Sequence, residues 1–131
     1  MTDRPVFLDA NILLEIILGR ENEPVAREFL GTQRGELVIS ALTAHLVVHF
    51  GLTRVPIAVL QTFLADYTIV SLEQADFDWA FANVRDDDFE DALQLSCALN
   101  AGCYSFVTFD RNLHRAYNEH LANLGVVLLK Q

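Results

Sequence analysis

Three aspartates stand where carboxylates can work together. Asp9 directly follows the apolar triplet Val6-Phe7-Leu8, Asp91 is the third residue of the run that begins at Phe89, and Asp110 follows Tyr104-Ser105-Phe106-Val107 by only a Thr-Phe pair. Carboxylates held a few ångströms apart repel and raise one another's pKa unless a cation stands among them. An all-oxygen donor set suits Mg²⁺ or Mn²⁺, which keep several waters and add a substrate phosphate. Such an ion polarises a phosphoryl oxygen and supplies a hydroxide-like nucleophile near neutral pH. Asn11 and Thr108 flank the aspartates as neutral groups able to orient a carboxylate or a bound water.

The elements that must position these residues follow from the apolar pattern. Val6-Phe7-Leu8 is a short buried strand, and Ile12–Leu18 is a helix that Gly19 stops. Pro24 opens a second helix reaching about Leu30, Leu37-Val38-Ile39 is a strand, and Leu42–Phe50 is a helix ended by Gly51. Pro56 opens a helix over Ile57–Leu64, with a strand at Thr68-Ile69-Val70 and a helix over Ala75–Val84. After Asp86-Asp87-Asp88, a helix from Phe89 to about Asn100 carries Phe89, Ala92, Leu93, Leu95, Ser96 and Leu99 at the spacing of one buried face. Gly102 ends it. The strand Tyr104–Val107, a helix over Leu113–Leu121 and a strand at Val126–Leu129 complete the chain. Short apolar strands alternating with helices predict an α/β fold, a three-layer α/β/α sandwich around a mostly parallel sheet. There is no repeat, linker or low-complexity tract, so residues 1–131 are read as one domain.

In such sheets ligands bind beyond the carboxyl ends of the strands, where the strand order reverses. Asp9 and Asp110 emerge at that edge if their strands are central neighbours. The helix carrying Asp91 runs antiparallel to the strand it feeds, so its first turn reaches the same edge. Each acid also has a purely structural reading: Asp9 or Asn11 as the cap of the helix starting at Ile12, Asp91 as a charge suited to a helix N-terminus, Asp110 as a turn residue. The convergence of all three at one edge favours chemistry. Asp86 and Asp87 are read as a solvated loop run.

The chain has 131 residues, 52% of them hydrophobic, and a formal net charge of −9. A lone lysine, Lys130, and eight scattered arginines provide no basic stripe for phosphates, and no stacking platform marks a nucleic-acid track. Acid content that forms a metal cage reverses the local field, so acidity alone does not exclude a phosphodiester substrate. Cys97 and Cys103, without CxxC spacing, predict a reducing compartment and neither a disulfide frame nor a zinc site. The opening Met-Thr-Asp-Arg-Pro leads straight into a strand, with no secretory segment, and no apolar run approaches the ~20 residues of a membrane span. The expectation is a soluble cytoplasmic protein.

Three stretches, Val-Phe-Leu-Asp9-Ala-Asn11-Ile-Leu-Leu-Glu, Asp88-Phe89-Glu90-Asp91-Ala92-Leu93-Gln94 and Val107-Thr108-Phe109-Asp110-Arg111-Asn112-Leu113, resemble the PIN-domain family, most nearly its VapC-type toxins. The likeness spans nearly the whole chain in the family's motif order. It implies an endoribonuclease dependent on Mg²⁺ or Mn²⁺, a homodimer, and an antitoxin that covers the acidic site. By motif, Asp9, Asp91 and Asp110 match the metal-binding acids, and Asn11 and Thr108 their polar neighbours. Glu90, beside the matching aspartate, faces either the site or solvent. One departure stands out. The family's helix glutamate falls on Leu46 or, shifted by one, on His45, and no acid occurs between Glu36 and Asp66. His45 is the sole candidate replacement, as a Mn²⁺ ligand or general base.

The alternative of a different class is a PIN scaffold of weakened activity that binds a protein or RNA, favoured by the absent glutamate and the acidity. Two other α/β carboxylate sites fit worse. A phosphotransfer receiver domain needs a lysine after a late strand, and Lys130 is misplaced. A haloacid-dehalogenase-type phosphatase needs an acid where this chain has Asn11. Phe29, Leu30, Val47, Val48, Phe50 and Leu52 are an apolar excess available to a dimer surface.

Overall fold

The fold is known from a computed structural model, which describes residues 4–130. Its strands are β1 (Val6–Leu8), β2 (Leu37–Ser40), β3 (Thr68–Val70), β4 (Ser105–Thr108) and β5 (Gly125–Leu128). They form a five-stranded sheet in the order β3-β2-β1-β4-β5, and every pairing is parallel. The expected parallel α/β architecture is the one observed. β1 and β4 are central neighbours, with Leu8 opposite Val107. Strand order reverses between them: the chain builds outward from β1 to β3, then returns across the sheet to β4.

Alternation along the strands divides the interior into two cores. Val6, Leu8, Ile39 and Val107 face α1 (Ala10–Ile17), α2 (Glu23–Thr32), α3 (Ala41–Gly51) and α4 (Ile57–Leu64). Phe7, Val38, Phe106 and Val126 face α6 (Phe89–Asn100) and α7 (Arg111–Tyr117), with Phe7 and Phe106 stacked at 5.4 Å. A fifth helix in chain order, α5 (Gln74–Asn83), lies on α6, tied there by the buried Asp76. That carboxylate accepts from Ser96 Oγ at 2.8 Å, Asn100 Nδ2 at 2.7 Å and the Glu73 amide at 2.8 Å.

Gly19 and Gly102 end α1 and α6 with φ of +61° and +74°, a conformation that glycine adopts at least cost. Gly51 does not stop α3 in this way. It is the last residue of the helix, and its role is close packing: a Cβ there would stand 2.5 Å from Leu60 Cδ2 and 3.2 Å from Ile17 Cγ2. Leu60 is fully buried, so any shift of its side chain must be taken up within the core. Gly51→Ala should therefore destabilise the fold by ~1–3 kcal/mol, read as a lowered urea midpoint with unchanged slope. A neutral effect would show that α3 and α4 are not packed this tightly.

Two other expectations need revision. The last helix starts earlier, at Arg111, because Asp110 caps it, and ends at Tyr117, where Asn118 turns extended and Glu119 takes a φ of +70°. Val47, expected at a dimer surface, is fully buried in the core beneath α3, whereas Phe50 and Leu52 are exposed. Cys97 and Cys103 are buried free thiols. Among the described residues no helix is long and apolar enough to cross a membrane.

Candidate active site at the carboxyl edge of the sheet

Asp9 leaves β1 at the point of strand reversal and caps α1. Its Oδ1 accepts from the Ala10 amide at 2.8 Å, and its Oδ2 accepts from Thr108 Oγ1 at 2.8 Å and Asn11 Nδ2 at 3.3 Å. Asn11 and Thr108 thus belong to one network across the two central strands. Asn11 Nδ2 also donates to Thr108 Oγ1 at 3.1 Å, and Asn11 Oδ1 accepts from the Phe109 amide at 3.2 Å. The Asp110 amide donates to Thr108 Oγ1 at 2.9 Å, so the same hydroxyl positions the residue that caps α7. Asp110 Oδ1 accepts from the Asn112 and Leu113 amides at 2.8 and 3.2 Å.

Asp91 is buried in the first turn of α6, behind the cap Asp88. It opens on a cleft of about 650 Å³ lined by Arg85, Asp86, Asp87, Asp88, Asp110 and Asn112. Asp9 is a helix cap as foreseen, Asp91 lies in the first turn of its helix, and Asp110, foreseen as a turn residue, caps α7; these structural roles coexist with convergence at one edge. Burial pushes the Asp9 carboxyl up to about 7, and the Glu90 and Asp110 charges push the same way against the Thr108 and Ala10 hydrogen bonds. Asp91 is raised further, by burial first, then by a carboxyl–carboxyl contact with Asp86 and the charges of Asp9 and Asp88. Glu90, half-buried, is raised by its own desolvation and by Asp88. Its charge in turn raises Asp9.

Asp86 is the residue that sequence reasoning missed. Half-buried at the cleft, it accepts from the Asp88 amide at 3.2 Å and from the buried Tyr117 hydroxyl at 3.5 Å beside Asp91. The one available signal was its place in an acid run immediately before a helix that carries another acid.

His45 is not brought to this edge. It is exposed on α3 and stacked on His49 with ring centroids 5.8 Å apart. Thr43, two residues earlier and so on the far side of the helix, is the buried group that faces α6, where its Oγ1 accepts from Gln94 Nε2 at 2.8 Å. Leu46 is half-buried. The α3 side of the site therefore has neutral polar groups where the resemblance implies a glutamate.

Among the described residues no three His, Cys, Asp or Glu side chains form a ready-made metal cage. The hydrogen bonds explain why. Asp9 is held by Thr108 and Asn11, and Asp110 by the amides of its own helix, while Asp91 lies against the Asp86 carboxyl. No basic side chain neutralises them: the ion pairs among the described residues, Arg20–Glu15 at 3.7 Å and Arg27–Glu23 at 2.7 Å, lie on α1 and α2 and the turn between them. Gln94 Oε1, one helical turn beyond Asp91, is a buried acceptor without a partner among the described residues. Oxygen-only donors, uncompensated buried acid and a spare acceptor nearby together fit a hard divalent cation with its bound water.

A parallel five-stranded α/β sheet with acids gathered at its point of strand reversal defines the class. The PIN domain family model matches residues 6–119, and the chain belongs to the PIN-domain family. No curated protein matches it in sequence. Among solved structures it is similar to a toxin–antitoxin complex from Klebsiella pneumoniae, with a TM-score of 0.73 and 17% identity, covering 91% of this chain and 94% of that one. It is also similar to VapC20 of Mycobacterium tuberculosis, a sarcin–ricin-loop-cleaving toxin, with a TM-score of 0.68, 12% identity and coverage of 85% and 94%. VapBC2 from Rickettsia felis, bound to a DNA fragment from its promoter, matches with a TM-score of 0.66, 16% identity and coverage of 96% and 99%.

Proposed function

We propose that this PIN domain is a Mg²⁺- or Mn²⁺-dependent endoribonuclease, the toxin of a toxin–antitoxin pair, working in the cytoplasm as a homodimer. The observation that carries the reading is the meeting of buried carboxyls from β1 and α6 beside Asp110, with no basic side chain to compensate them. Asp9, Asp91 and Asp110 would hold the ion. When bound, it would polarise the scissile phosphate and lower the pKa of a water. Thr108 and Asn11 hold the Asp9 carboxylate in one orientation at the edge where the ion would sit. Asp86, which lines the cleft beside Asp91, and Glu90, whose charge reaches Asp9, would be the further acids available to orient or deprotonate a water. Arg85 lies on the rim of the cleft, its Nε donating to Ala116 O at 2.9 Å, where it can meet a phosphate of the strand. The antitoxin partner is inferred from the solved relatives that are themselves toxin–antitoxin assemblies.

A second reading has its own observation. The α3 side of the edge has no acid and is closed by the Gln94–Thr43 hydrogen bond, as in a scaffold that binds RNA or protein without cutting. Incubation of the protein with structured and unstructured RNA separates the two. The nuclease reading expects cleavage with Mn²⁺ or Mg²⁺ that EDTA abolishes. RNA that survives undamaged with either metal, while still being bound, favours the scaffold.

A further inference from the structure

Arg85 directly precedes Asp86, Asp87 and Asp88 and lines the cleft with them, yet it pairs with none of them. The ion pairs among the described residues lie on α1 and α2 and the turn between them. A guanidinium so near uncompensated carboxylates is expected to fall onto one unless its donors are taken. The end of α7 takes them. Arg85 Nε donates to Ala116 O at 2.9 Å, and Nη2 stands 3.4 Å from His120 Nε2. Ala116 O is one of the last carbonyls of α7, left without an amide of its own helix, and a helix C-terminus favours a cation.

These guanidinium contacts are exposed, and the anchor beneath them is Tyr117, whose side chain is fully buried. Its hydroxyl accepts from the Arg85 amide at 2.9 Å and donates to Asp86 Oδ1 at 3.5 Å. The first bond is short and firm, the second long and weak. Burial raises the Tyr117 pKa most, the Arg85 amide lowers it, and the Asp86 and Asp91 charges raise it again. Asp86 Oδ1 also accepts from the Asp88 amide at 3.2 Å, which ties the segment to the cap of α6. Burying a hydroxyl is costly unless it is satisfied, and both partners of this one among the described residues lie in the segment that lines the cleft.

We infer that Tyr117 is a positioning residue for the acid site. Its hydroxyl pins the Arg85–Asp88 segment, so that Asp86 stays against Asp91 while the Arg85 guanidinium stays on the end of α7. Its role towards a cation rests on the nuclease reading. The site keeps its negative charge because the arginine on its rim is tethered elsewhere. Without the hydroxyl the Arg85 amide loses its acceptor, the segment is released, and Arg85 is free to pair with the acids that would hold the ion. Removing a group that orients metal ligands from behind weakens metal binding roughly ten- to a hundredfold. Sequence inspection does not reveal the link, because Tyr117 lies 32 residues beyond Arg85.

The test compares the parent with Tyr117→Phe, which keeps the ring in the core. Gly51→Ala is the control, a destabilised variant whose change lies on the opposite face of the sheet. Two quantities are read: solvent exchange of the Arg85 Nε–H in metal-free protein, by NMR, and the Kd for Mn²⁺, by calorimetry. Tyr117→Phe should speed the exchange about tenfold and weaken Mn²⁺ binding about tenfold, and Gly51→Ala should change neither. A Tyr117→Phe form that melts lower yet keeps both quantities would make the hydroxyl purely structural and overturn the inference. An equal change in Gly51→Ala would do the same, because the effect would then follow stability. Faster exchange with unchanged Mn²⁺ affinity also overturns it and leaves the cation site standing. A parent that binds no Mn²⁺, with exchange still faster in Tyr117→Phe, supports the tether and defeats the nuclease reading instead.

Discussion

In metal-free buffer the folded protein should lose stability as pH rises from about 4 to about 7, and Asp9→Asn should remove much of that loss. The cause is desolvation. Asp9 has an ordinary carboxyl pKa of 3.8 when the chain is unfolded and one of about 7 when buried in the fold. Between those values the folded chain binds a proton that the unfolded chain has already released, so stability falls with rising pH across that window. Below about 4 both states are protonated and no penalty arises, and above about 7 the penalty is fully in place. A lift of this size is worth roughly 4 kcal/mol at 1.4 kcal/mol per pH unit. Asp91, raised by burial and by Asp86, adds a loss of the same sign at higher pH. Urea titrations at pH 5 and pH 8 measure it. The parent should lose a few kcal/mol between them, and Asp9→Asn distinctly less, although the new amide no longer accepts both side-chain hydrogen bonds of the old Oδ2. Mn²⁺ should reverse the trend for the parent, because an ion binds the ionised form and stabilises by about 2.7 kcal/mol at a hundredfold excess over its Kd. Parent stability that rises towards pH 8 without metal would contradict the uncompensated acid site.

The second large effect concerns chemistry. Asp91→Asn should lower the rate of metal-dependent RNA cleavage on the order of a hundredfold or more, because it removes one of the charges that hold the ion and its activated water. The fold should persist. The substitution is nearly isosteric, it sits in the first turn of α6 behind an intact Asp88 cap, and it relieves the contact with Asp86. Asp78→Asn is the matched control, since Asp78 is an exposed acid on α5 outside the cleft. Equal loss in both variants would mean that cleavage follows net charge and not the site.

The architecture was legible where a local rule decided it. Asp9 after a buried triplet, Asp110 after β4 and Asp91 in the first turn of α6 could be set on one edge from strand polarity alone. Gly19 and Gly102 were legible as helix ends because left-handed backbone is a local property. What was hidden depended on contacts between distant segments. Gly51 looks like another stop, yet its reason is Leu60 on the next helix. Asp86 looks like solvated loop until Tyr117 and Asp91 are seen on either side of it. Val47 reads as surplus apolar surface and is core. The three acids were expected to form a cage, and the fold brings them to one edge with each carboxyl held by a different neighbour, contacts that no local pattern encodes.

Manganese anomalous diffraction from crystals soaked in Mn²⁺ tests the central claim most directly. A single peak bounded by the carboxylates of Asp9, Asp91 and Asp110, and absent from Asp91→Asn crystals, is the expected result. Density for Mn²⁺ elsewhere on the molecule with this edge empty, or a peak at the edge that survives the loss of Asp91, would contradict it.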